Sequence, residues 1–549
     1  MQRSPRKGRF LLKLAQFTSP YMSRPAGIIF LLFLLLGLPS LVSGATYPLA
    51  VFETYALGES GVARTNEVVS MGFPLSKGVA SNLSSLGVNG ASSQQFVELA
   101  RWPDNSLKWV LVDFIAPSLG AGVKDTTTYT LTTTGSGTTS GASICSLNAG
   151  VLTATTGTMT AKVRTNNFNV LNEVTLSDGK QLVLPNNLGE VIWEDESGNA
   201  VSSRNGNLTR LEIVFNGPLH CHAVAEGWFG GTGEGYRIIY DFYKNKEHVD
   251  MSASLKNASL TANTHKFVER AQVRVDTTLE GSGITTDVSN VGSVPLSFSL
   301  NPGENAQVSS WYSTAHTILN VGAELGTSNS GYAVKKINAS SGAQISVPVP
   351  RTTSSQVPTY QWMTLTQGSG AAQKTVRVDQ KFAPYYFPSG YTAEADTGML
   401  SGDLFSPDYP DAKRALSRYR MYETRNFRFD FSPDSDGVTT TQQHTGKVVL
   451  VPNDKTYMPN SEAYSPFGFT GASQADFEAF YNEPAINITR AYCTNYDSIT
   501  TPNMQVYRIY PSGQVGGGIS NNDVTNHIFA TYTMHSRAEY PRQEALALY

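Results

Sequence analysis

The stretch FVELARWPDNSLKWVLVDF, residues 96–114, decides the fold. Phe96 to Trp102 and Leu107 to Phe114 are rich in aromatic and aliphatic residues, and Pro103-Asp104-Asn105-Ser106 separates them. Proline presets φ at the second position of a turn, and Asp and Asn tolerate turn geometry, so the spacing predicts a β-hairpin. The chain around it has the same character, which predicts a small N-terminal β-domain over residues 45–134.

Working outward, fourteen threonines lie between Thr126 and Thr160. The β-branch of threonine favours strands, so this tract reads as a linker followed by edge strands with a threonine-rich face. From Leu152 to Gln380 short strands recur between turn signals. Leu211, Ile213 and Phe215 alternate with Arg210, Glu212 and Val214, and Lys244-Asn245-Lys246-Glu247 joins strands at 237–243 and 249–255. Val273 and Val275 continue the pattern, which predicts a large antiparallel β-sandwich over 135–465.

Helical signals come late. Ala412, Ala415, Leu416 and Tyr419 fall at helical spacing behind Pro410, and Ser473-Gln474-Ala475-Asp476 resembles a capping box. Asp523 suits a helix N-cap, and Pro541 suits the first position of a second helix that runs in strong helix formers to Tyr549. Residues 466–549 are therefore expected to be a mixed segment leading into a helical domain that is cut short. The fold class expected for the whole is mainly β, with the start of an α-helical region at the C-terminus.

A chain of 549 residues predicts two or three domains. Its formal net charge of -3 excludes a generally basic nucleic-acid binder. Only 15% of residues are charged, below the roughly 25% of ordinary soluble domains, and the deficit is filled by neutral polar residues. Hydrophobic residues at 40% are enough to build cores and argue against disorder.

Residues 1–44 read as a secretory signal peptide. Arg3, Arg6, Lys7, Arg9, Lys13 and Arg24 precede an apolar run from Ala26 to Leu38, and Val42-Ser43-Gly44-Ala45 supplies small residues for cleavage. The run is shorter than the ~20 residues that span a bilayer, so no membrane anchor is expected after cleavage. The expected location is secreted or cell-surface. Five N-x-S/T sequons, at Asn82, Asn207, Asn257, Asn338 and Asn487, are compatible with a glycoprotein. Three widely spaced cysteines, Cys145, Cys221 and Cys493, exclude a small disulfide scaffold and leave one disulfide or free thiols as alternatives.

The sharpest local pattern is His220-Cys221-His222-Ala223-Val224-Ala225-Glu226. In a strand, period-2 geometry sets His220, His222 and Glu226 on one face, a donor set that suits a divalent transition metal. The spacing resembles the first metal motif of cupins, but no second cupin motif follows. On the other reading this is ordinary sheet surface, with Leu219, Cys221, Ala223 and Ala225 towards a core. Tyr385, Tyr386 and Phe387 are candidates for a sugar-stacking platform, whereas Trp102 and Trp109 flank the hairpin and read as structural. There is no G-x-S-x-G elbow, P-loop or H-E-x-x-H.

Gly61-Val62-Ala63-Arg64-Thr65-Asn66-Glu67, Gly72-Phe73-Pro74-Leu75 and Leu99 through Trp109 together resemble the N-terminal β-domain of the exo-rhamnogalacturonan lyase-like polysaccharide lyases. The segment from Gly217 to Leu255 is similar to their second β-sandwich domain, so the resemblance covers roughly residues 48–430. It implies a secreted protein with an all-β front half, an extracellular polysaccharide as partner, and β-elimination on a pectin-type backbone where the following helical toroid is present. That chemistry needs a base for the proton α to a uronate carboxylate and a cation for the developing charge. His535, Tyr540 and Arg542, at the start of the presumed helical region, are the candidate catalytic residues. The alternative is a non-catalytic carbohydrate-binding module or a structural cell-surface glycoprotein.

Overall fold

The 96–114 hairpin forms as its sequence dictates. Strands Gln94–Arg101 and Leu107–Leu119 pair antiparallel. Across the turn Trp102 N–H donates to the Ser106 carbonyl at 2.8 Å, and Asn105 takes a left-handed φ of 69°, a conformation that Asn tolerates. Asp104 Oδ1 accepts from the Ser106 amide at 3.0 Å and so ties the turn to itself. Strand Arg64–Pro74 pairs with the far side of Leu107–Leu119, giving a three-stranded sheet.

In this computed structural model the described residues run from 44 to 463, apart from 54–60, 136–140, 196, 231–232, 258–264, 291–293, 312–330, 350–357, 359, 382, 384–388, 407–414, 419–421, 435, 447, 455–456, 458–460 and 462. The fold is mainly β. A second small sheet runs Gly87–Asn89, Thr130–Thr132, Thr46–Glu53 and Val448–Pro452, with Lys124–Asp125 also on Thr46–Glu53. Its last strand returns from late in the chain, with Val51 opposite Leu450. These two sheets share one core, built on Leu49, Val51, Phe73, Val112 and Phe114 and joined by Leu450.

A separate and larger core, from Ile144 to Phe431, lies within the predicted sandwich. It is covered by two antiparallel nine-stranded sheets and a five-stranded meander between Cys145 and Val183. One nine-stranded sheet runs Asn207–Asn216, His220–Trp228, Glu234–Tyr243, His248–Asn257, Tyr422–Asp430, Lys374–Gln380, Trp362–Gln367, Ile284–Val288 and Leu296–Leu300. Leu219, Cys221, Ala223 and Ala225 are all 0% exposed, on the face that the alternation assigns to the core. Cys145 and Cys221 form a disulfide, which selects between the two cysteine readings; Cys493 lies outside the described residues.

One local expectation is revised, and one helix was not expected. Ala415 and Leu416 are not helical: Ala415–Arg418 is a strand paired with residues 265–268, so a tertiary partner overrides helical spacing. The helix Gly437–Thr445 carries no apolar stripe and gives no periodic signal. It starts because Asp436 caps it, accepting from the Thr439 amide at 3.0 Å. Its first residue must be small, since a Cβ on Gly437 would lie 2.3 Å from the Trp362 ring. Among the described residues no helix is long and apolar enough to cross a membrane. The predicted signal peptide, but for Gly44, and the helices expected at 473 and beyond 521 lie outside the described residues.

Candidate functional site

A pocket of about 350 Å³ opens where the three-stranded sheet meets the hairpin 234–257 and the helix Gly437–Thr445. Its wall is polar: Arg64 and Glu67 from one side, Lys246, His248 and Asp250 from the hairpin, and Arg428, Lys381 and His444 from beyond it. Arg64 holds the wall together. It donates to Glu53 Oε1 at 2.9 and 3.1 Å, to the Gln443 carbonyl at 2.8 Å and to the Gly446 carbonyl at 2.9 Å, so it satisfies carbonyls at the helix C-terminus.

His444 is fixed on two sides. Its Nδ1 is bonded to Asp379 Oδ1, and its Nε2 lies 3.9 Å from Asp250 Oδ1 on the pocket wall. Asp379 stands behind it and is fully buried. Arg428 clamps Asp250 with two bonds, at 2.6 and 2.9 Å, and His248 Nε2 is 4.0 Å from the same carboxylate. Burial pushes Asp379 up to about 8, with Asp250 and Asp430 adding to the rise and Arg428 and Arg377 opposing it. Burial, together with Arg428, drives His444 and His248 well below the ordinary histidine value. Burial works against ionisation of Asp250, but Arg428 and His444 outweigh it and hold the carboxyl well below the carboxylate range. The site thus places a neutral imidazole, oriented by a carboxyl group, among lysine, arginine and carboxylate side chains. Such a group can pass a proton at Nε2 to or from a ligand in the pocket.

A second cluster lies next to it in the same sheet. His220 Nε2 donates to Asp241 Oδ1 at 2.9 Å, and His222 Nδ1 donates to the same oxygen at 2.6 Å. Burial disfavours a charged His220, but Asp113 and Asp241 override it and raise the ring to about 9. The two histidines likewise overcome burial and hold Asp241 at about 2. Gln95 spans the seam, donating to Asp113 Oδ2 at 3.2 Å and to the His220 carbonyl at 3.1 Å.

Of the residues that the sequence points to, His220 and His222 come together. Glu226 does not join them. It lies further along the strand, paired with Lys256 and 3.9 Å from Arg210, and at about 3.3 Å per residue its Cα is some 13 Å from that of His222. Trp102 is structural as expected, its Nε1 donating to the Leu75 carbonyl at 2.8 Å. Tyr385, Tyr386 and Phe387, and likewise His535, Tyr540 and Arg542, lie outside the described residues. His444, Asp379, Asp250 and Asp241 carry the geometry without having been singled out by sequence. The signal for Asp241 was present. Strands His220–Trp228 and Glu234–Tyr243 pair so that His222 faces Asp241.

No family model matches the chain, and no curated protein matches it. Among solved structures it is similar to an alpha-mannosidase from Enterococcus faecalis, at 9% identity over 74% of this chain and 46% of that one, with a TM-score of 0.40. The chain thus spans about half the length of that structure. It is also similar to an alpha-galactosidase from Geobacillus stearothermophilus (9% identity, 52% of this chain and 41% of that one, TM-score 0.31). A third is a galactose mutarotase related enzyme from Lactobacillus acidophilus (8% identity, 52% of this chain and 98% of that one, TM-score 0.28).

Proposed function

We propose that this chain is a secreted protein acting on an acidic, pectin-type polysaccharide, and that the pocket performs proton transfer in β-elimination. The observation that carries the reading is the Asp379–His444 pair, whose histidine lines a pocket together with Lys246 and Lys381 and has no hydrogen-bond partner at its buried Nε2. His444 Nε2 takes the proton α to a uronate carboxylate, the electron pair moves to form the ring double bond, and the bond to the glycosidic oxygen breaks as that oxygen takes a proton from solvent water. The lysines meet the carboxylate charge that grows during the step.

The protonation of the pair sets the pH dependence. Below about 8 Asp379 keeps its proton, which it donates to Nδ1, and His444 carries its own hydrogen on Nε2, so the ring cannot act as a base. Once the pair loses that proton, Nδ1 holds the remaining hydrogen against Asp379 and Nε2 is an open lone pair. Arg428, Asp250, His248 and Lys381 face His444, and Arg377 and Asp430 face Asp379, so the transition belongs to this group as a whole. Release of unsaturated product from rhamnogalacturonan, followed by ultraviolet absorbance, is expected to rise as pH passes about 8 and to vanish in His444→Gln. No product from the unaltered chain above that pH sinks the enzymatic reading. A second reading, binding without turnover, is favoured by the burial of His444, whose side chain is 1% exposed. Glycan binding that survives His444→Gln, with no turnover in either protein, would select it.

A further inference from the structure

We propose that His220, His222 and Asp241 form a binding site for a divalent transition-metal ion. This is independent of the pocket chemistry, and none of the three ligands lines the pocket. The register His222 opposite Asp241, with His220 two residues along the same strand, presents three ligand atoms within 4.8 Å of one another. A tetrahedral ion bound at ~2.0–2.2 Å needs its ligands about 3.3 Å apart, so Asp241 Oδ1, now 2.6 and 2.9 Å from the two nitrogens, has to retreat from both, and the nitrogens, which lie within 4.8 Å of each other, have to settle at that same spacing. Two imidazoles and one carboxylate suit an ion of the zinc, cobalt or nickel kind rather than calcium or magnesium.

The rings are held before any ion arrives. Phe215 stacks on His222 at 5.0 Å and meets the edge of His220 at 4.8 Å, while Tyr243 stacks on the other side of His220 at 4.5 Å. Behind His220, Nδ1 lies 3.6 Å from Asp113 Oδ1, and neither atom has a hydrogen-bond partner although both residues are buried. An imidazole that ligates through Nε2 normally gives its Nδ1–H to a carboxylate, which is the place Asp113 occupies. His222 and Asp241 keep about a fifth of their side-chain surface exposed, at 23% and 21%, so an ion has a route in and solvent can supply a fourth ligand. Binding displaces the hydrogens on His220 Nε2 and His222 Nδ1, which leave to solvent.

The test is calorimetric titration of the untagged chain with Zn²⁺, repeated with Co²⁺ to read the visible absorption of a tetrahedral site. One ion per chain is expected. His222→Ala and Asp241→Asn should abolish the cobalt band, Asp113→Asn should weaken binding by roughly 10- to 100-fold, and Glu226→Gln should bind as the unaltered chain does. Failure of the unaltered chain to take up either ion overturns the proposal. So does undiminished binding by Asp241→Asn, or loss of binding in Glu226→Gln. Asp241→Asn is nearly isosteric, so it decides the matter even where circular dichroism finds His222→Ala unfolded.

Discussion

Arg64→Met removes a guanidinium whose side chain is 1% exposed and leaves three acceptors without it: the buried Glu53 Oε1 and Gly446 carbonyl and the part-buried Gln443 carbonyl. Glu53 keeps the Val62 amide at 2.7 Å but loses its countercharge. Removing one partner of a buried ion pair costs about 3–5 kcal/mol, because the remaining charge is stranded out of water. Here the loss falls on the helix Gly437–Thr445, whose C-terminal carbonyls Arg64 holds. Since about 1.4 kcal/mol is a factor of ten, local opening of that helix should become roughly a hundred to a few thousand times more frequent. Hydrogen–deuterium exchange of peptides covering 437–446 measures this directly. The double variant Glu53→Leu with Arg64→Met removes both charges and should recover the part of the loss that comes from the stranded Glu53 charge, because an apolar pair often replaces a buried ion pair at little cost, while the two carbonyls stay without their donor. Unchanged exchange in Arg64→Met, or a double variant no better than the single one, would refute the reasoning.

Two further outcomes are expected. Replacing Cys145 and Cys221 by alanine opens a loop with a sequence separation of 76, which the chain-entropy account values at about 4.5 kcal/mol, so the urea midpoint of the larger core should fall; an unchanged midpoint contradicts this. Asp403 is 0% exposed, and burial pushes it up to about 7, against roughly 3.9 in an unfolded chain. Its folded value is the higher one, so its contribution to stability is complete below about pH 4 and is lost as pH rises through about 7. Asp403→Asn should flatten the fall in stability across that window, and an unaltered pH profile of unfolding counts against the assignment.

The β-architecture was legible because its signals are local. Alternation marks Leu211, Ile213 and Phe215, and a Pro-Asp-Asn turn marks the first hairpin, each within about ten residues of sequence. What escaped depends on partners far along the chain. Nothing near Val448 says that it will pair with Glu53, and nothing near Ala415 says that Val268 will hold it extended. The candidate site escaped for a related reason. Strand Lys374–Gln380 buries Val376 and Val378 on one face and Arg377 and Asp379 on the other, so its charges are interior without breaking the alternation. His444 sits on a threonine-rich helix that is stabilised by its cap and its seat rather than by an apolar stripe, and periodicity cannot find such a helix. For the His220 cluster, period-2 reasoning along one strand suggested Glu226, whereas the nearer neighbour lay across the hairpin. Directly opposed residues in a sheet are about 5 Å apart, while four positions along a strand span about 13 Å, so the cross-strand partner wins.

Both polar clusters sit where the three-stranded sheet meets the nine-stranded sheet that carries His220, and this placement has a physical reason. Two separate apolar cores supply no unique alignment between the layers they fill, because apolar contact is non-directional. Hydrogen bonds are directional. Gln95 accepts from the Leu219 and His220 amides at 2.9 and 3.2 Å while it donates to Asp113 and to the His220 carbonyl. Arg64 and Glu53 do the same on the helix side. Any slide of one sheet across the other would leave these groups buried and unpaired, at about 1–3 kcal/mol for each neutral group and more for each charge. The seam is therefore held in one register by the groups that would be most costly to misplace. Arg64 also fixes the backbone on either side of His444, and Gln95 fixes the backbone of His220, so the groups that align the sheets place the chain at both candidate sites.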